Sequence, residues 1–101
     1  MKYYYVYILK CSDNSYYTGI TNDVDRRLNE HVLGLHKNSY TFSRRPVMLL
    51  YQEYFTEVNE AIAFEKKVKG WSRAKKEALI KDDWDEIVRL SNLKRYSASS
   101  D

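Results

Sequence analysis

Cysteine is nearly absent: Cys11 is the only one, so no disulfide can close within the chain and a metal site built on thiolates is excluded. A reducing compartment follows, and the sequence predicts a cytoplasmic protein. Long apolar runs are missing too, the longest being a few residues, far short of a bilayer span. The start, Met1-Lys2-Tyr3, has no hydrophobic signal core with a small-residue cleavage site behind it, so neither export nor membrane contact is expected. Internal repeats and low-complexity segments are absent. Charge of one sign is only slightly in excess, 17 Lys and Arg against 14 Asp and Glu for a net +3, which alone argues weakly for a polyanionic partner. At 101 residues the expectation is one core and one site, with a domain over residues 1–93 and a disordered tail over 94–101.

What is present is unevenly placed. Lys66, Lys67, Lys69, Arg73, Lys75 and Lys76 crowd one stretch, His36, Lys37, Arg44 and Arg45 lie in a loop, and Asp82, Asp83, Asp85 and Glu86 cluster elsewhere. A basic face and an acidic corner are therefore expected on one molecule. Ten tyrosines are many for this length; they serve either as strand formers in a small core or as faces on which bases stack.

Tyr3 to Lys10 is a β-branched and aromatic run, and after Asp13-Asn14-Ser15 a second run, Tyr16 to Thr21, completes a hairpin. A three-residue turn over 13–15 sets Cys11 opposite Tyr17 and puts Tyr7 and Tyr17 on one face; a two-residue turn separates them. From Asp23 the period changes: Val24, Leu28, Val32 and Leu35 recur at helical spacing, with Asn22 or Asp23 to cap the start and Gly34 to end it. Gly34 to Pro46 reads as a polar, basic loop and Val47 to Phe55 as a strand. Thr56 can cap a helix over Val58 to Lys69, Gly70 stops it, Ser72 can cap a third helix to about Lys81, and Asp83 a fourth from Trp84 to Leu93 with Trp84, Ile87, Val88 and Leu93 inward. The order β, β, α, β, α, α, α predicts an α+β domain: a small three-stranded, mainly antiparallel sheet with flanking helices.

The third strand leads to the most informative anomaly. Val58, Ala61, Ile62 and Val68 mark a buried stripe, and Glu65 falls within about 20° of Val58, near the centre of that arc. An unpaired carboxylate there is costly enough that it neutralises or finds a partner, so a salt bridge, an acid/base role or a metal is implied. Arg27 and His31, four residues apart, border the inward stripe of the first helix in the same way. One carboxylate, one guanidinium, one imidazole and two phenols make up the set that phosphodiester hydrolysis wants. Water needs a base, the phosphorane needs positive charge, and the departing alkoxide needs a proton or a metal. A lone carboxylate suffices for one Mg²⁺ that keeps most of its waters. Tyrosine is a poor base at its ordinary pKa of about 10, and an adjacent guanidinium or metal is expected to lower it.

Tyr5-Val6-Tyr7, then Tyr17-Thr18-Gly19, then Arg27 and His31, with Glu65 on a helix after the third strand, resemble the signature of the GIY-YIG nuclease superfamily. Lys69-Gly70-Trp71-Ser72-Arg73 adds to the likeness to its small, stand-alone bacterial members, which covers about residues 3–80. Tyr5 stands where the family name has Gly, and Val6 and Thr18 where it has Ile. The resemblance implies a divalent-metal-dependent endonuclease acting on DNA, in repair or recombination. By the same resemblance Tyr7 and Tyr17 help to activate water, Arg27 stabilises phosphorane charge, and His31 orients a phenol or relays a proton. Glu65 would ligate a single Mg²⁺ or Mn²⁺, and Gly19 would let the substrate backbone approach. Binding would fall to Arg44, Arg45, Lys66, Lys69, Arg73 and Lys76, which position phosphate without reading sequence. Two rivals remain open: a non-catalytic nucleic-acid-binding module acting with a partner protein that supplies specificity, and a protein-interaction domain using the acidic corner Asp82 to Glu86.

Overall fold

The computed structural model describes residues 2–99, with side chains as far as residue 93. Three strands, β1 (Tyr4–Lys10), β2 (Tyr16–Thr21) and β3 (Met48–Phe55), form one sheet in the order β2-β1-β3, with β1 antiparallel to both neighbours. Four helices accompany it: α1 (Val24–Leu33), α2 (Val58–Lys69), α3 (Arg73–Ile80) and α4 (Trp84–Ser99). The fold is α+β, as the element order predicts. The chain divides between Lys69 and Gly70 into two compact units.

In the first unit β1 is the central strand, and Val6, Tyr7, Ile8 and Leu9 are all buried, because helix or loop covers both sheet faces there. The hairpin turn is three residues long but sits one residue earlier than the sequence pattern suggests. Cys11 N donates to Ser15 O (2.9 Å), the turn is Ser12-Asp13-Asn14, and Tyr17 lies opposite Leu9 rather than Cys11. Two local features set it there: Asn14 takes the left-handed conformation at φ +68°, and the Asp13 carboxylate accepts from Ser15 N at 3.0 Å. The shift moves the partner of Tyr17 by two residues, from Cys11 to Leu9, which leaves parity unchanged, so Tyr7 and Tyr17 still share a face.

Asp23 caps α1, its carboxylate accepting from Arg26 N at 3.0 Å, and Gly34 ends it at φ +66°. Its buried line is not the one its apolar residues suggest. Val24 and His31 are buried, Arg27 and Leu28 are half-buried, while Val32 is 49% and Leu35 61% exposed. The polar pair turns inward because partners wait there for His31, as the site geometry below makes plain. In α2 the buried line is Ala61, Glu65 and Val68, with Val58 and Ile62 at its exposed margin. The first helical bond runs from Ala61 N to Glu57 O, so Thr56 lies one residue outside the cap. Burying Val68 contributes about 1.5–3 kcal/mol, and Phe64 adds a ring contact to Phe55 at 5.4 Å.

In the second unit Ser72 caps α3, accepting from Lys75 N at 3.3 Å, and Asp83 caps α4, accepting from Glu86 N at 3.1 Å. The two helices pack together through Ala78, Leu79 and Ile87. Trp84, Val88 and Leu93 are about half exposed, because α4 turns Ile87, Leu90 and Ser91 inward instead. The helix also runs past Leu93 to Ser99, with no Gly or Pro to stop it. The last two residues of the expected tail, 100 and 101, lie outside the described residues.

Candidate active site

β1 and β2 build the floor. Tyr7 pairs with Gly19 across the ladder, and the phenol lies flat over that glycine: a Cβ on residue 19 would stand 2.5 Å from both Cζ and Oη of Tyr7. Gly19 is therefore required by Tyr7 itself, and the space expected for a substrate backbone is filled by the ring. Tyr17 stands beside it with ring centroids 6.2 Å apart.

α1 brings His31 to the same place. Its Nε2 is 3.0 Å from the Tyr7 hydroxyl and its Nδ1 is 2.7 Å from the hydroxyl of Thr41. The His31 ring also contacts Tyr17 edge-on at 5.3 Å. Burial, reinforced by the Arg27 charge, holds the His31 pKa below its ordinary value, so the ring is neutral near pH 7. Tyr7 moves the opposite way. Burial and the neighbouring Tyr17 phenol push it far above the ordinary tyrosine value, and the Arg27 guanidinium opposes them without prevailing. The expected lowering by an adjacent guanidinium is thus present but outweighed, because desolvation of the phenolate is the larger effect.

Arg27 Nε lies 3.1 Å from Glu30 Oε1, and its positive charge acts on the Tyr7 phenol. Glu30 holds Arg27 from the outside, leaving a fixed cation at the rim of the phenol pair. The basic loop contributes two residues that no periodicity marks. Tyr40 stacks on Tyr17 at 6.0 Å and 21°, and Arg44 sits over the Tyr40 ring at 3.8 Å while its Nε donates to Asp13 at 3.1 Å. Thr41, beside them, is wholly buried. Aromatic and hydroxyl residues amid Lys and Arg in a loop were the only available signal for either.

On α2 the Glu65 carboxylate is buried and accepts from Lys69 Nζ at 2.9 Å, one turn later. The Glu65 hydrogen bond raises the Lys69 pKa, and the Tyr17 phenol acts on the ammonium in the same direction. Lys69 is thereby a partner of Glu65 first. Among the other basic residues, Lys66 is exposed, and Arg45 lies over the Phe42 ring with Nε donating to Phe42 O at 2.9 Å. In the second unit Arg73 pairs with Glu77 at 3.4 Å, and Lys76 is half-buried on α3. Among the described residues no three His, Cys, Asp or Glu side chains converge to cage a metal. A single hard carboxylate such as Glu65 suits an ion that takes its remaining ligands from water and phosphate, as Mg²⁺ or Mn²⁺ does, and does not suit Zn²⁺.

Comparison with known proteins bears on the arrangement. Residues 3–78 match the GIY-YIG catalytic domain. A UPF0213 protein of Staphylococcus haemolyticus is 45% identical over 82 residues, 81% of this chain and 99% of its own. One from Haloquadratum walsbyi is 43% identical over 83 residues, 82% of this chain and 92% of its own. The solution NMR structure of a UPF0213 protein from Bacillus halodurans superposes with a TM-score of 0.54 at 41% identity, covering 88% of this chain and 97% of that one. A solution NMR structure of a protein from E. faecalis gives 0.58 at 37% identity, covering 81% and 86%.

Proposed function

The chain belongs to the GIY-YIG family, and from that premise we propose that it is a divalent-metal-dependent endonuclease hydrolysing phosphodiester bonds in DNA. The observation that carries the reading is the buried Tyr7–His31 hydrogen bond, flanked by Tyr17 and Arg27. Free Tyr7 phenolate is too costly to form near pH 7, so the phenol acts as one member of a relay. As a water oxygen attacks phosphorus, its proton passes to Tyr7 Oη while the Tyr7 proton passes to His31 Nε2, and no phenolate accumulates. The P–O bond to the departing nucleoside oxygen breaks, that oxygen takes a proton from solvent, and His31 later returns its proton to solvent. Arg27 offers its fork to the phosphoryl oxygens, where charge grows in the phosphorane. Glu65 would hold the Mg²⁺ or Mn²⁺, which supplies Lewis acidity at the phosphate when bound.

Lys66, Arg44 and Arg45 supply phosphate contacts in the first unit; such contacts carry no sequence information, so selectivity falls to DNA structure. A role in repair or recombination is the part of the proposal that rests on family membership alone. The test is a panel of duplex, single-stranded, flap and four-way DNA substrates incubated with wild type and Glu65→Ala, in Mg²⁺, Mn²⁺ or chelator. The wild type should cleave at least one structure in metal, and the folded variant none. Binding that persists in chelator with no cleavage of any substrate replaces the nuclease by a binding module.

A further inference from the structure

Thr41 is out of place in its loop. Residues 35–38 around it are exposed, yet Thr41 is wholly buried, and its hydroxyl lies 2.7 Å from His31 Nδ1 and 3.3 Å from Ser39 Oγ. The backbone is turned to hold it there, with Phe42 N donating to Ser39 O at 3.2 Å and Arg44 N to Thr41 O at 3.0 Å. Which ring nitrogen of a neutral imidazole carries the proton is set by the partners of both nitrogens together.

We propose that Thr41 is a positioning residue that holds His31 in the tautomer with the proton on Nδ1, leaving Nε2 free to take the proton of Tyr7. This rests on the nuclease reading for its consequence, though not for its geometry. The hydrogen-bond accounting selects the tautomer. A phenol O–H is a stronger donor than an imidazole N–H, and a bare imidazole nitrogen is a stronger acceptor than a phenol oxygen. Across their 3.0 Å contact the Tyr7 hydroxyl therefore donates to His31 Nε2. With Nε2 accepting, Nδ1 holds the hydrogen of the neutral ring and donates to Thr41 Oγ1, whose own hydrogen turns toward Ser39 Oγ. Every group in the row donates once along it. The opposite tautomer would use the weaker donor and the weaker acceptor of the pair and would leave His31 unable to receive a proton from Tyr7.

The experiment uses the full chain labelled with ¹⁵N at histidine. Two-bond ¹H–¹⁵N spectra should show His31 Nδ1 as the protonated nitrogen and Nε2 as the bare one. Thr41→Val keeps the branched shape and removes the acceptor: the tautomer should become mixed or reversed, and cleavage should fall about 10²-fold, the low end of what proton transfer by a positioned side chain supplies. Thr41→Ser should restore both. A wild-type ring protonated on Nε2, or a Val variant that keeps the Nδ1 proton, overturns the proposal. Should Thr41→Val not fold, the wild-type and Ser spectra decide. A wild type that shows the stated tautomer and cleaves nothing refutes the nuclease reading and leaves the Thr41 assignment standing.

Discussion

Replacing Gly19 by alanine tests whether the glycine exists to seat the Tyr7 ring. The added methyl would lie 2.5 Å from Cζ and Oη and 2.9 Å from Cε1 of Tyr7, against an ordinary carbon contact of about 3.5–4.0 Å. The ring must therefore retreat by about 1 Å. Overpacking of this kind costs about 1–3 kcal/mol, and alanine returns about 0.5–1 kcal/mol by being the better residue in a strand interior, for a net loss of up to about 2.5 kcal/mol. In a domain of this size each kcal/mol lowers Tm by about 4–8 °C. Activity suffers more, because a 1 Å displacement pulls the phenol from His31 Nε2, and such a misplacement costs about 10²-fold. The assay is thermal denaturation with single-turnover cleavage for wild type, Gly19→Ala, Tyr7→Leu and the double variant. In the Tyr7→Leu background the alanine should cost little or stabilise, since the ring it strikes has gone. A Gly19→Ala protein as stable and active as wild type, or one destabilised equally in both backgrounds, refutes the reasoning.

Arg27→Lys keeps the charge and loses the fork, so cleavage should drop about 10²-fold with Tm changed only slightly, read by single-turnover kinetics beside a melting curve. A variant with full activity would mean that charge alone is used. His31 has its pKa lowered by burial and then by Arg27, so the unfolded chain takes up that proton first as pH falls through about 6.5. The stability it contributes is present above that pH and is lost below it, down toward the folded-state value. Urea midpoints should accordingly fall between about pH 7.5 and about pH 5.5 and fall less in His31→Gln. An identical slope in the two proteins would contradict the assignment.

How far the sequence could be read depends on what sort of cause acts at each position. Local causes were legible: Asp23, Gly34, Ser72 and Asp83 cap or end their helices because the chemistry lies within one turn. The shared face of Tyr7 and Tyr17 was legible only for a three-residue turn, a two-residue one being equally open; the turn that forms has three residues, and an odd turn preserves parity even when it slips by one residue at each end. Glu65 could be placed on the buried side of α2 by angle alone. What failed were positions decided by a distant partner. On α1 the apolar pattern favoured Val32 and Leu35 inward, but Thr41 and Tyr7 satisfy His31 there and the apolar residues are left outside. Thr41 and Tyr40 belong to a loop without periodicity, where no pattern says which hydroxyl or ring will be buried. Lys69 stands at i+4 from Glu65, a spacing that announces an ion pair, yet within a basic run it reads first as a phosphate contact. For Tyr7 the sequence shows a guanidinium to come and cannot show how deeply the phenol is buried, which is the larger effect.

The most direct measurement is single-turnover nicking of supercoiled plasmid in Mg²⁺ by wild type and by Glu65→Gln, a substitution that keeps the side-chain shape while removing its charge, with circular dichroism confirming that both are folded. The account predicts nicking by the wild type and a rate lower by about 10² or more in the variant. Equal rates in the two proteins would contradict it.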